Sequence, residues 1–171
     1  MGIYFRAFLY FNVYSIFGVN DVCAQRLAIE NGTKKDKMIE SNEVLLRLVL
    51  AVIFGGLIGI EREIVHKPAG VRTHMLVSLG SALFILLAME SIPGGIDKIM
   101  AGIITGVGFL GAGTIFKSKI EVHGLTTAAS IWAVAAVGIG IGLGYYFMTI
   151  VTVVLVLIVL HLNKMEFFKN L

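Results

Sequence analysis

Glu61-Arg-Glu-Ile-Val-His-Lys-Pro-Ala-Gly-Val-Arg-Thr-His74 is a charged stretch wedged between two long apolar runs. Before it, Val44 to Ile60 is seventeen residues long and carries one charge, Arg47. After it, the run from Thr73 to Met89 carries none. A helix of seventeen residues reaches about 26 Å, close to the roughly 30 Å hydrocarbon core of a bilayer. The stretch therefore reads as a hinge between two transmembrane helices. The bulk numbers agree: 57% of the 171 residues are hydrophobic and 15% are charged, against roughly 25% charged in soluble domains, and the mean hydropathy is +0.90.

Working outward, the link from Glu90 to Lys98 contains Pro93-Gly-Gly95, which breaks the second helix and starts a third near Asp97. The third span, Ile99 to Phe116, carries glycines at 102, 106, 108, 111 and 113. At about 100° per residue, Gly102, Gly106 and Gly113 share one face, and Gly108 and Gly111 lie opposite. Glycine on two faces predicts a helix packed closely between two neighbours, at the centre of the bundle. After a charged link from Lys117 to Gly124, Leu125 to Leu162 runs 38 residues without Asp, Glu, Lys or Arg. As one helix that run would be about 57 Å long, so it must fold back. Gly138, Gly140, Gly142 and Gly144 mark the place, giving a fourth span ending near Ile141 and a fifth from Tyr145 to Leu162. The expected fold is an all-α, polytopic membrane helical bundle with five transmembrane helices.

Residues 1–37 stand apart from this pattern: an apolar, aromatic run with Arg6 embedded, then a polar run from Asn20 to Glu43. Three readings fit them: a signal-like segment, an extra hydrophobic helix, or translation assigned too early, with Met38 as the true start. The expected division is thus 1–37 as extension, 38–162 as membrane domain and 163–171 as tail. Orientation follows from basic residues in short loops. With the hinge inside, Arg62, Lys67, Arg72, Lys117, Lys119, Lys164 and Lys169 lie inside, and Lys98 alone lies in the outer links. This places hinge 61–72 and the C-terminus in the cytoplasm. The segment Asn20 to Glu43, outside on this topology, runs against the rule with four basic residues.

Charge distribution and motifs narrow the function classes. A net charge of +3 spread over short loops does not make a nucleic-acid-binding face. Cys23 is the one cysteine, which excludes an intrachain disulfide. The sequence has no Walker-type phosphate loop, no Gly-x-Ser-x-Gly elbow and no His-Glu-x-x-His helix, and Gly106-x-Gly108-x-x-Gly111 falls inside a span instead of opening a strand-turn-helix unit. The chain reads as a non-enzyme.

Two groups of polar residues remain as candidates. On the outer side Arg47 can snorkel, meet Glu43 one turn back, or reach Asp97. Asp97 is a weak candidate for a cation site, since Mg²⁺ needs only one or two carboxylates plus water; the alternative is a set of helix-end charges. On the inner side Glu61, Arg62, Glu63, His66, Arg72 and His74 converge with Lys117, Lys119, Glu121, His123, Thr126 and Thr127. Thr73 and Thr126 are placed to cap helices whose positive ends, with Arg72, suit an anion or the Glu61 carboxylate. The alternative is a topology anchor. Trp132, inside the fourth span, reads as a packing residue and His161 as an interfacial one. No cofactor is expected beyond a Mg²⁺ ion.

In order along the chain, Arg47-Leu-Val-Leu-Ala51, Gly55-Gly-Leu-Ile-Gly-Ile-Glu-Arg-Glu63, Ala69-Gly-Val-Arg-Thr-His-Met-Leu76, Gly106-Val-Gly-Phe-Leu-Gly-Ala-Gly113 and Gly124-Leu-Thr-Thr-Ala-Ala-Ser-Ile-Trp132 resemble the MgtC/SapB family of bacterial membrane proteins. Two departures stand out. The family tends to have Arg and Gln where this chain has Lys98 and Gly102, and the chain looks like a short form without a soluble C-terminal domain. The resemblance implies a protein of the bacterial cytoplasmic membrane tied to growth under magnesium limitation and, in pathogens, to survival in host cells. It implies a regulator contacting a membrane protein, with the F-type ATP synthase as partner, and leaves homo-oligomers open. A small transporter or channel for Mg²⁺ or another ion is the alternative function. Glu61, Arg62, Arg72, His74 and the motif residues Gly106, Phe109, Gly111 and Gly113 are the positions the resemblance singles out.

Overall fold

The structure is a computed structural model and describes residues 39–92, 94–117 and 121–162. The expectations for residues 1–37 and for the tail 163–171 lie outside the described residues. Among the described residues five helices follow one another: α1 Ser41–Ile64, α2 Val71–Ser91, α3 Ile96–Ala112, α4 Leu125–Gly142 and α5 Tyr146–Leu162. Between α3 and α4 the chain makes a small antiparallel hairpin, β1 Phe116–Lys117 with β2 Val122–His123, in which Phe116 pairs with His123. Among the described residues the structure is all-helical apart from that hairpin and the connecting turns. Three helices, α1, α2 and α4, are long and apolar enough to cross a membrane.

The packing is governed by small residues on α1, α2 and α4. Along α1 the buried stripe is Arg47, Ala51, Gly55, Ile58, Gly59 and Arg62, with Gly56 beside it. Glycine inside a helix costs about 1 kcal/mol in isolation, and here it permits backbone-to-backbone contact. A Cβ on Gly55 would lie 2.7 Å from the His74 carbonyl oxygen and 2.8 Å from Ser78 Cβ, and one on Gly59 would lie 2.6 Å from Val71 Cα. On the other side of α2, a Cβ on Gly142 of α4 would lie 2.9 Å from the Ala82 carbonyl oxygen. So α2 is held between two glycine-bearing faces. Ala51, Ile58, Ala82, Val134, Val137 and Ile141 fill the remaining core, with Val153 and Leu160 of α5 against them.

The expected centre of the bundle is corrected by this arrangement. The central element is α4, which touches all four other helices and buries ten of its eighteen residues. Ala, Gly, Ser, Thr, Ile and Val make up its buried side and keep it narrow there. By contrast, α3 buries only Val107 and Gly111 and leans chiefly on α4 and α2. Its glycines do not mark two close neighbours: a Cβ on Gly102, Gly106 or Gly108 would meet nothing within 4 Å. Trp132 is also corrected, standing 52% exposed on the outside of α4, since the buried side of that helix has room only for smaller groups. The third span is shifted as well. It ends at Ala112, where the Thr114 hydroxyl donates to the Gly111 carbonyl at 2.7 Å, and Phe116 belongs to the hairpin. The expected fold-back holds: α4 ends at Gly142 and the turn contains Gly144 at φ +82°.

These contacts predict opposite outcomes for two Gly→Ala changes in detergent-solubilised protein. Gly55→Ala should lower stability by about 1–3 kcal/mol through overpacking. Gly102→Ala should leave it unchanged or raise it by about 0.5–1 kcal/mol, because the helix gains a better former at no steric cost. Thermal unfolding of the two variants checks the contrast.

Candidate functional site

The polar residues gather at the two ends of the bundle, and α1 supplies the key group at each. At the far end, away from the hinge, Arg47 is buried on the first turns of α1. Its Nη1 donates to the Gly142 carbonyl at 2.6 Å, at the C-terminus of α4, and its Nη2 pairs with Glu43. The Arg47 side chain thus takes the Glu43 option and not the Asp97 one. Gly144 makes room for this guanidinium, since a Cβ there would lie 3.0 Å from Nη2. Arg47 Nε remains buried without a partner. Asp97 is exposed and forms no ion pair among the described residues.

At the hinge end, Arg62 is 3% exposed and pairs with Glu61, while its Nη2 lies 3.5 Å from the Leu160 carbonyl near the C-terminus of α5. Glu61 Oε1 is buried with no hydrogen-bond partner. The hinge then turns through His66 in the left-handed region at φ +53°. The Glu63 carboxylate reaches over it: Val71 N–H donates to Glu63 Oε2 at 2.9 Å. A carboxylate at this point satisfies one of the free N–H groups of α2 and faces the positive end of its dipole.

At α2 this carboxylate takes the place of the expected threonine cap. The N-cap of α2 is Gly70 and that of α4 is Gly124, neither with a side-chain cap bond. Thr73 and Thr126 therefore lie inside the first helical turns, and both are exposed. Glycine is required at the start of α4, and at the start of α2 it leaves room for the Glu63 carboxylate. Gly124 stands at φ +88°, where a Cβ would run into Thr114, and a Cβ on Gly70 would occupy the place of the Glu63 carboxylate.

Behind the hinge lies a buried polar chain that joins α2 to α4. His74 is fully buried. Its Nδ1–H donates to the Gly70 carbonyl at 2.9 Å, and its Nε2 lies 3.0 Å from Ser130 Oγ. The same hydroxyl lies 2.8 Å from the Thr127 carbonyl, so its one hydrogen serves either the imidazole or that carbonyl. Glu61, Arg62, His74 and Thr127 are thus gathered at the buried hinge end, whereas Arg72 points outward. Lys117, Glu121 and His123 stand on the exposed hairpin, with His123 stacked on Phe116 at 5.3 Å and 3.6 Å from Glu121. Of the α3 motif, Gly111 lies against Ala128 of α4, Gly113 follows the helix end, and Phe109 is 82% exposed. Ser130 and Ser81 were not singled out from sequence. The available signal for Ser130 was His74 itself, a polar ring in an uncharged span that needs a partner from a neighbouring helix.

Between α2 and α3 the bundle is open. A cleft of about 620 Å³ is lined by residues that include Gly80, Ser81 and Phe84 of α2 and Lys98, Gly102 and Gly106 of α3. No group of three or more His, Cys, Asp or Glu side chains able to hold a metal occurs among the described residues.

The Arg62–Glu61 pair has a measurable signature. Arg62→Met should destabilise the protein by about 3–5 kcal/mol, because it strands a buried carboxylate. Adding Glu61→Gln to that variant should recover part of the loss in the same unfolding assay.

The sequence profile of the MgtC family matches residues 48–166. Among curated proteins, the chain is 44% identical over 105 residues to YhiD of Escherichia coli K12, whose name reads "Putative magnesium transporter YhiD", covering 56% of this chain and 49% of that one. It is 45% identical over 94 residues to "Protein MgtC" of Salmonella typhimurium LT2, covering 55% and 41%, and 44% identical over 104 residues to "Uncharacterized protein slr0014" of Synechocystis, covering 58% and 43%. The chain spans about half the length of these relatives or less. No solved structure matches. With the profile covering most of the described helices and three of them suited to crossing a bilayer, this chain is a membrane protein that belongs to the MgtC family.

Proposed function

We propose that this protein is a non-enzymatic regulator in the bacterial cytoplasmic membrane, linked to Mg²⁺ homeostasis, that acts by contact with another membrane protein. All five helices cross the bilayer in this reading, with the hinge 61–72 on the cytoplasmic side. Two observations support five crossings. Both α3 and α5 have seventeen residues, enough for about 26 Å. The chain also alternates between the bundle's ends, since Arg47 reaches the end of α4 and Arg62 the end of α5.

The observation that carries the reading is the contrast between closed charges and an open flank. The buried arginines are spent on helix ends and acids of their own helix, while the α2–α3 cleft opens to the side. A lateral cleft suits a partner within the bilayer. The link to Mg²⁺ comes from the name of the Escherichia coli relative and from the family resemblance, which also makes the F-type ATP synthase the first partner to test.

The alternative is an ion transporter, favoured by that same name and by the unpartnered Glu61 Oε1. The two readings separate cleanly. Proteoliposomes of the full chain should carry no more Mg²⁺ than protein-free vesicles across several pH values, and the tagged chain should co-purify with a defined membrane protein from cells grown at low Mg²⁺. Saturable Mg²⁺ flux in the vesicles would instead establish the transporter.

A further inference from the structure

We infer that the α2–α3 cleft is a docking groove for one transmembrane helix that carries a carboxylate at the Lys98 end and a hydrogen-bonding group deeper, level with Ser81. This rests on the reading of the chain as a partner-binding membrane protein and gives that partner its chemistry.

Three separate features of the groove point to a helix. First, glycines on both helices open its apolar lining: a Cβ built on Gly80, Gly102 or Gly106 meets nothing within 4 Å. Such a surface lets a second helix backbone approach closely, the arrangement by which helices associate in lipid. Second, Ser81 lines the cleft at 4% exposure and makes no hydrogen bond among the described residues. A helical serine in apolar surroundings commonly turns back to a carbonyl of its own helix, as Thr105 and Thr149 do here. Ser81 makes no such bond beside the cleft, and a hydroxyl without a partner in apolar surroundings is unfavourable. Third, Lys98 lines the same cleft near the start of α3 and forms no ion pair among the described residues.

A hydrocarbon chain from lipid would fill the apolar walls but would leave Ser81 without a partner. A helix supplies both missing groups. Ser81 lies ten residues before the end of α2, about 15 Å into the helix from that end, so its partner must be a Ser, Thr, Asn or backbone carbonyl near mid-depth. The ammonium of Lys98 asks for an Asp or Glu within a turn of the helix end on its own side. Lys98, Gly102 and Gly106 fall four residues apart and form one ridge of α3, so the charge and the close contact belong to the same docked helix.

The test uses the full chain in nanodiscs of zwitterionic lipid and a synthetic probe: a Leu/Ala transmembrane peptide with one ridge of glycines, a central Ser, a photoreactive Leu, and either Asp or Lys at the end that lies level with Lys98. The Asp peptide should bind about tenfold more tightly than the Lys peptide, the size expected from one satisfied polar contact in a bilayer. Lys98→Asp should reverse the preference. Gly106→Leu, which fills the cleft without a clash, should abolish binding while leaving the melting temperature unchanged, and Ser81→Ala should weaken it severalfold. Photolabelling should fall on residues lining the cleft. Equal binding of the two peptides, a preference that does not reverse, indifference to Gly106→Leu, or labelling of lipid or of a second copy only would overturn the groove. Should the groove fail while a defined partner still co-purifies and no Mg²⁺ flux is seen, the regulator reading stands on another surface. Should flux be seen, that reading falls whatever the peptide does.

Discussion

A helix that ends in apolar surroundings leaves carbonyls with no donor, and in this molecule two buried arginines of one helix supply them. Arg47 donates to Gly142 at the end of α4 and Arg62 lies against Leu160 near the end of α5. Fifteen residues separate them, about 22 Å along α1, so one helix ties both ends of the bundle. Each guanidinium is balanced by an acid on its own helix, Glu43 or Glu61, because an unpaired charge at such depth is expensive. Between them Gly55 and Gly59 bring α1 into backbone contact with α2.

Given that tie, α1, α2 and α4 form a dense unit with contacts at the backbone level, and His74 with Ser130 adds a polar joint inside it. The helix left outside the tie is α3. It rests on α4 through Val107 and Gly111 and stands off from α2 along its first half. Stability and recognition are thereby largely separated: backbone-level contacts among α1, α2 and α4 hold the fold, while the cleft is walled by apolar side chains and opened by glycines on α2 and α3.

The hinge, the break at Pro93-Gly-Gly95, the fold-back at Gly138–Gly144 and the family were legible because charge, turn chemistry and length each leave a local trace. Arg47 meeting Glu43 was legible for the same reason, being a one-turn relation on a single helix. The placement of α3 was not. A row of glycines is compatible with a tightly packed face and with an empty one, and the choice depends on side chains of other helices. The caps were misread because threonine is a good N-cap in general, whereas here Gly70 and Gly124 occupy those positions and Glu63 reaches across from α1. Contacts such as His74 to Ser130, 56 positions apart, exist only once the helices are docked.

The central claim is that the α1–α2–α4 unit is closed while the α2–α3 flank is open, and spin labels read this most directly. In protein reconstituted alone, a nitroxide at Gly102 should be mobile and accessible to oxygen dissolved in the bilayer, while one at Gly111, which lies against Ala128, should be immobilised. A label at Gly102 as immobile as that at Gly111, in the absence of any partner, would contradict the account.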